Sequence, residues 1–177
     1  MKLGKYCGSP FKVLFMGLIL QQGQAWAECS TNVDELPQPN RYSVNGDNTI
    51  TDQTTQLQWQ RCAAGFGWSA TGNLCSPLAG QVTDFTWQEA LVYAKNFAGA
   101  SGWRLPNTKE LESLVKRSCV NPAIETSVFS ITPIGTFWTS TAAIGYFGNA
   151  WVVSFSDGSL LTGDKTNPYQ VRLVKSL

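Results

Sequence analysis

Histidine is absent from the 177 residues, and that absence decides most of the chemistry open to this chain. Ser-His, Cys-His and H-E-x-x-H arrangements need an imidazole as base or ligand, so all are excluded. A carboxylate pair of the glycosidase kind is what remains, with the separation of the two acids setting the stereochemistry. Of the twelve acidic residues, Glu89, Glu110, Glu112 and Asp157 are the candidates for such a pair. Glu89 and Glu110 stand where a capping box places its carboxylate, Glu112 falls on a helix face and Asp157 in a turn. Each acid has a structural role, and the chain reads as non-enzymatic.

Recognition is the chemistry the residues offer instead. Trp68 lies beside Gly65 and Gly67, where an exposed indole can stack on the C–H-rich face of a pyranose. Arg104, between Trp103 and Leu105, requires a carboxylate or carbonyl partner if buried and otherwise anchors an anionic ligand. Asn107 and Lys109, which follow in the same segment, and Asp157 complete the ligand-binding candidates. Trp59, Trp87 and Trp151 fall on apolar faces and are assigned to the core, Trp103 to packing at an element junction.

No metal site is predicted. There is no C-x2-C pair and no histidine to complete a zinc site. Asp47, Asn48 and Asp52, and again Asp157, Asp164 and Asn167, are oxygen-rich in the way calcium requires. They lack an alternating D-x-D-x-D pattern, and turn formation accounts for them. No cofactor is expected, with calcium as the alternative.

The chain opens like a secretory signal peptide: Lys2, Lys5 and Lys12, an apolar run from Val13 to Leu20, then Ala25-Trp26-Ala27 with small residues at −3 and −1 of a cut before Glu28. The run is too short for a hydrocarbon core that needs ~20 residues, so no membrane span is expected after cleavage. Taking three lysines and no acid from thirteen basic and twelve acidic side chains leaves a net charge of −2. That argues against nucleic acid, which is bound through many phosphate contacts. Export also explains four remaining cysteines, an even number in an oxidising compartment. Three pairings are open. Cys62–Cys75 closes a short Gly-rich loop and is preferred, which leaves Cys29–Cys119.

These residues need elements to position them. Residues 28–40 read as a polar, extended lead-in, and 41–177 as one domain. Residues 41–44 and 49–51 form a hairpin around Asn45-Gly46-Asp47-Asn48, with Asn-Gly supplying positive φ angles. Leu57 to Arg61 is a strand, and the Gly-rich segment 63–84 a disulfide-pinned loop. Thr86-Trp87-Gln88-Glu89 is a capping box that starts a helix with Ala90, Leu91, Ala94 and Ala98 inward. A second helix begins after Pro106, capped by Asn107 or Thr108, with Leu111, Leu114 and Val115 inward and Lys116 and Arg117 at its negative end. Strands follow at 137–141, 151–155, 159–162 and 169–174. The predicted class is α+β: two helices on a largely antiparallel sheet, braced by disulfides.

Three segments together resemble one family: Thr55-Gln56-Leu57-Gln58-Trp59-Gln60; Trp103-Arg104-Leu105-Pro106-Asn107 with Lys109-Glu110-Leu111; and Phe137-Trp138-Thr139-Ser140-Thr141 followed by Ala150-Trp151-Val152-Val153 and Phe155-Ser156-Asp157-Gly158. The chain resembles the DUF1566 or Lcl C-terminal domain family, named after a Legionella collagen-like adhesin, over about residues 41–175. The resemblance implies a C-type-lectin-like or related architecture in an exported or surface protein. It also implies binding of polysaccharide, sulfated glycans included, and, by analogy with the adhesin, a trimer. No collagen-like Gly-X-Y stalk is present. The expected function is an adhesion or binding module, periplasmic, at the outer surface or secreted, whose partner is a polysaccharide or envelope protein. The alternative is a protein–protein accessory subunit of a surface assembly.

Overall fold

The structure, a computed structural model, describes residues 27–33, 38–99 and 101–177. The predicted signal peptide lies outside the described residues except for Ala27. The first strand, β1 (Glu28–Cys29), is too short and too exposed to hold itself in place. It is held by antiparallel pairing with Cys119–Val120 and by a disulfide between the facing residues Cys29 and Cys119. Strands β2 (Tyr42–Val44) and β3 (Thr49–Asp52) form the expected hairpin. Its positive φ falls on Asn48, not on the Asn-Gly pair. The loop is organised by Asp47, whose carboxylate accepts from the Thr49 N–H and hydroxyl, and this leaves Asn48 to take the left-handed conformation that asparagine tolerates. Strand β4 (Leu57–Gln60) follows, with Leu57 and Trp59 inward.

Residues 63–84 are not simply a loop. They contain a second hairpin, β5 (Phe66–Ser69) and β6 (Leu74–Pro77). All four β5 residues are half-buried, so no alternation marks the strand, and Gly67 carries no side chain to show a face. Gly65 (φ 79°) is needed where the hairpin begins, because a Cβ there would strike the Val82 carbonyl. The second disulfide, Cys62–Cys75, ties β6 to the end of β4.

Helix α1 (Trp87–Ala98) starts at the predicted Thr86–Glu89 capping box and buries Ala90 and Ala94. Helix α2 (Thr108–Glu112) is capped by Asn107, reciprocated by Glu110, and is shorter than its pattern indicates. Lys116 and Arg117 lie past its end at Ser113 and pair with Glu125 (2.7 Å) and Glu112 (2.8 Å). Lys116 is thereby drawn off to Glu125, whereas Arg117, paired with the last residue of the helix, stays beside its C-terminal end as predicted. After β7 (Cys119–Val120) come β8 (Thr136–Ala142), β9 (Asn149–Ser154) and β10 (Leu160–Asp164), an antiparallel sheet with β9 central. The last strand, β11 (Val174–Ser176), joins a four-stranded sheet in the order β11-β4-β3-β2.

The closing strand predicted at 169–174 is mostly something else. Gln170 exchanges hydrogen bonds with Trp138 and Thr136 (2.9 and 3.0 Å), while Val171 and Leu173 accept from Ala64 and Gln60. A segment that changes partners midway cannot keep one ladder, and here it ties the two sheets together. Arg172 sits at this joint, 1% exposed. It donates to the Gln60 and Arg61 carbonyls and the Thr132 hydroxyl and lies over the Phe129 ring. Burial pulls its pKa down to about 9, still above neutrality, so carbonyl dipoles and a ring face carry a buried cation.

Alternation along β8 and β9 separates two cores. Phe137, Val153 and Phe155 face one, with Ile50, Trp59, Leu111 and Phe129. Trp138, Ala150 and Val152 face the other, with Phe85, Ala90, Ala94 and Trp103. The sheet is therefore covered on both sides. The fold is α+β, mostly antiparallel, with two short helices and two disulfides.

Candidate functional site

A groove of about 200 Å³ opens where the β5–β6 hairpin meets the C-terminal half of α1. Trp68, Tyr93 and Phe97 supply its apolar wall, and Asp47, Asn48 and Gln60 its polar one. Each wall follows from local folding. Trp68 stands opposite Cys75 in the β5–β6 register, so the Cys62–Cys75 bridge fixes the strand that carries it. The Arg61 guanidinium stacks on the indole at 3.4 Å from the ring centroid and donates to the Val128 carbonyl. A ring braced by a guanidinium in this way loses little freedom when a ligand arrives. Tyr93 and Phe97 are an i,i+4 pair on the flank of α1, ring centroids 6.0 Å apart, and Phe97 is 45% exposed. Asp47 and Asn48 come from the β2–β3 turn and Gln60 from the end of β4. The Thr49 hydroxyl holds the Asp47 carboxyl below its usual range, so the rim carries a carboxylate at neutral pH.

Of the ligand-binding candidates, Trp68 alone lines this groove. Arg104 forms a two-pronged ion pair with Glu110 (2.8 Å on each nitrogen), and Glu110 also accepts from the Asn107 N–H. The Arg104 hydrogen bond holds the Glu110 carboxyl down despite partial burial. Arg104 and Asn107 are thus brought together as the lock that starts α2, with Lys109 exposed on that helix. Asp157 accepts from the Ser159 N–H and hydroxyl and forms the β9–β10 turn. The oxygen-rich groups do not converge. Asp52 is fully buried against Arg41, and Asp164 accepts from Thr166 within its own turn. Among the described residues no three acidic or cysteine side chains gather around a point that could hold a metal.

Of the tryptophans assigned to core, Trp59 is fully buried. Trp87 and Trp151 are half-buried. The Trp87 indole N–H donates to the Thr139 carbonyl, and Lys165 covers its ring. Sequence reasoning passed over Tyr93 and Phe97. Their signal was an aromatic i,i+4 pair lying beside, rather than on, the alanine stripe of α1.

A larger hollow of about 870 Å³ lies between residues 38–42, 112–118 and 125–128. Its cations are engaged with Asp52, Glu112 and Glu125. Val33 and Gln38, on its margin, flank residues that are not described. No site is assigned to it.

The architecture is that of a small cystine-braced domain carrying an aromatic groove on its surface. The chain belongs to the Lcl C-terminal domain family, whose model matches residues 48–175. The family is associated with adhesins and is not a known enzyme family. No curated protein matches the chain. Among the described residues no helix is long and apolar enough to cross a membrane.

Proposed function

We propose that this chain is an exported, non-enzymatic recognition module that holds a neutral glycan in the Trp68 groove. One observation carries the reading: a stacked, braced indole and two further aromatic rings face an amide pair and a carboxylate in a space suited to a single sugar residue. Rings stack on the apolar face of a pyranose while Asn48, Gln60 and Asp47 take its hydroxyls. Asp47 is the charged member of the lining among the described residues, and a carboxylate repels sulfate. The sulfated ligands implied by the resemblance therefore fit this groove less well than neutral ones. Export is supported by the two disulfides and by the family, as is a site at the envelope or outside the cell. Two helices set against antiparallel sheets support a C-type-lectin-like reading. No calcium is invoked, since the carboxylates are engaged in turns and ion pairs. A trimer would raise a weak single-site affinity through avidity.

On an array of neutral and sulfated polysaccharides, with and without calcium, the protein is expected to give selective signal on neutral glycans that is unchanged by calcium. Trp68→Ala is expected to weaken that signal at least about tenfold, the loss typical of a central aromatic anchor. Equal signal from Trp68→Ala would contradict the groove. A blank array, with a specific protein recovered from envelope extracts, would favour the accessory-subunit alternative.

A further inference from the structure

The β8–β9 hairpin ends in a tip whose composition is unusual for a water-facing turn. Ile144 is 98% exposed, Phe147 92% and Tyr146 70%, and no charged residue occurs from Ala143 to Asn149. Contiguous exposed apolar surface of this kind marks an interaction site. The tip is also preformed. The Ala143 carbonyl accepts from Tyr146, the Tyr146 carbonyl from Asn149, and the Gly148 carbonyl from the Lys165 N–H. The Phe147 carbonyl accepts from the Lys165 ammonium at 2.8 Å.

From these contacts we infer that the tip inserts into the interfacial layer of a lipid bilayer, with Ile144 and Phe147 among the acyl chains and Tyr146 at headgroup depth. Two features favour lipid over a second protein. Three side chains on a convex knob offer far less than the ~1,600 Å² that a stable protein interface buries in total, whereas a fluid bilayer closes around any shape. Backbone carbonyls that already accept hydrogen bonds also lose little on leaving water. Charge agrees. Lys165, immediately behind the tip and over Trp87, is placed to meet lipid phosphates, while the tip itself is neutral. Trp87 begins α1 and Phe97 lies near its end, a rise of ~15 Å. The groove, which Phe97 lines, is therefore set apart from the tip. The inference does not depend on what that groove binds.

The test is co-sedimentation of the full chain with phosphatidylcholine vesicles and with mixed phosphatidylcholine–phosphatidylglycerol vesicles, at low and high salt. Binding to both is expected, largely retained at high salt. Ile144→Ser with Phe147→Ser is expected to weaken it at least about tenfold while leaving the melting temperature unchanged, because both side chains are exposed. The double variant keeps residues 1–26, so attachment through the leading apolar run would survive it, and that result would overturn the proposal. Absence of vesicle binding, or capture of a protein from extracts by the tip without vesicle binding, would overturn it as well.

Discussion

Asp52→Ala is expected to lower the unfolding free energy by about 3–5 kcal/mol, the range seen when one partner of a buried ion pair is removed. The Asp52 side chain is fully buried and that of Arg41 is 14% exposed. The carboxylate takes the Arg41 Nε and Nη2 hydrogens and the N–H groups of Thr54 and Thr55. Arg41 reaches on to the Ser113 carbonyl, so this pair fastens β3 to the end of α2. Alanine leaves a guanidinium and two amide hydrogens facing a space that water enters poorly. Urea unfolding of the wild type and variant would measure the difference, and a loss below about 1 kcal/mol would place the pair among exposed ones.

The same pair gives a pH dependence of definite sign. Burial, the largest single effect, pushes the Asp52 carboxyl up, but the hydrogen bonds and charge of Arg41 together with the Thr54 and Thr55 hydrogen bonds outweigh it, and the folded value lies below the usual carboxylate range. The stabilisation is therefore complete above the unfolded pKa of about 3.9 and is lost as pH falls through the folded value. Without histidine, no side chain of ordinary pKa titrates between pH 5 and 8. Stability should be flat across that window and fall below about pH 4, with a shallower fall in Asp52→Ala.

Opening the Cys29–Cys119 bridge by double replacement with serine is expected to cost about 2–4 kcal/mol. The two cysteines are 90 positions apart, so the crosslink strongly restricts the unfolded chain. The chain-entropy model alone gives about 4.5 kcal/mol. The smaller figure follows because β1, once untethered, can leave its two-residue pairing with β7 and recover part of that entropy without disturbing either core. Calorimetry should show a lower melting temperature, with Trp59 and Trp138 still buried by fluorescence. Loss of all cooperative unfolding would mean that β1 organises the core, contrary to this description.

Which parts were legible from sequence follows from where the physics is local. The Thr86–Glu89 box and the cap before the second helix needed only neighbouring residues; the first stands as read, and of the two candidate caps, Asn107 and Thr108, the structure takes Asn107. The two disulfides followed from loop length and an even count of cysteines. Trp138 and Phe137, adjacent in sequence, bury into different cores because two layers cover their sheet, which no alternation count reports. The hairpin carrying Trp68 was hidden by Gly67 and by uniform half-burial. Segment 169–174 reads as a strand, yet its hydrogen bonds are divided between two sheets, a property of topology. In the groove, Trp68 was visible as an indole among glycines. Asp47 and Asn48 were noticed for a different chemistry, and Tyr93, Phe97 and Gln60 come from α1 and β4, far apart in the chain, and meet only in the tertiary fold.

Indole and amide NMR resonances should be followed while the neutral glycan with the strongest array signal is added. The expected result is movement of the Trp68 indole with the Asn48 and Gln60 side-chain amides, while the fully buried indoles of Trp59 and Trp138 stay still. Perturbations centred on Lys116 and Glu125, or a response that persists in full in Trp68→Ala, would contradict the account.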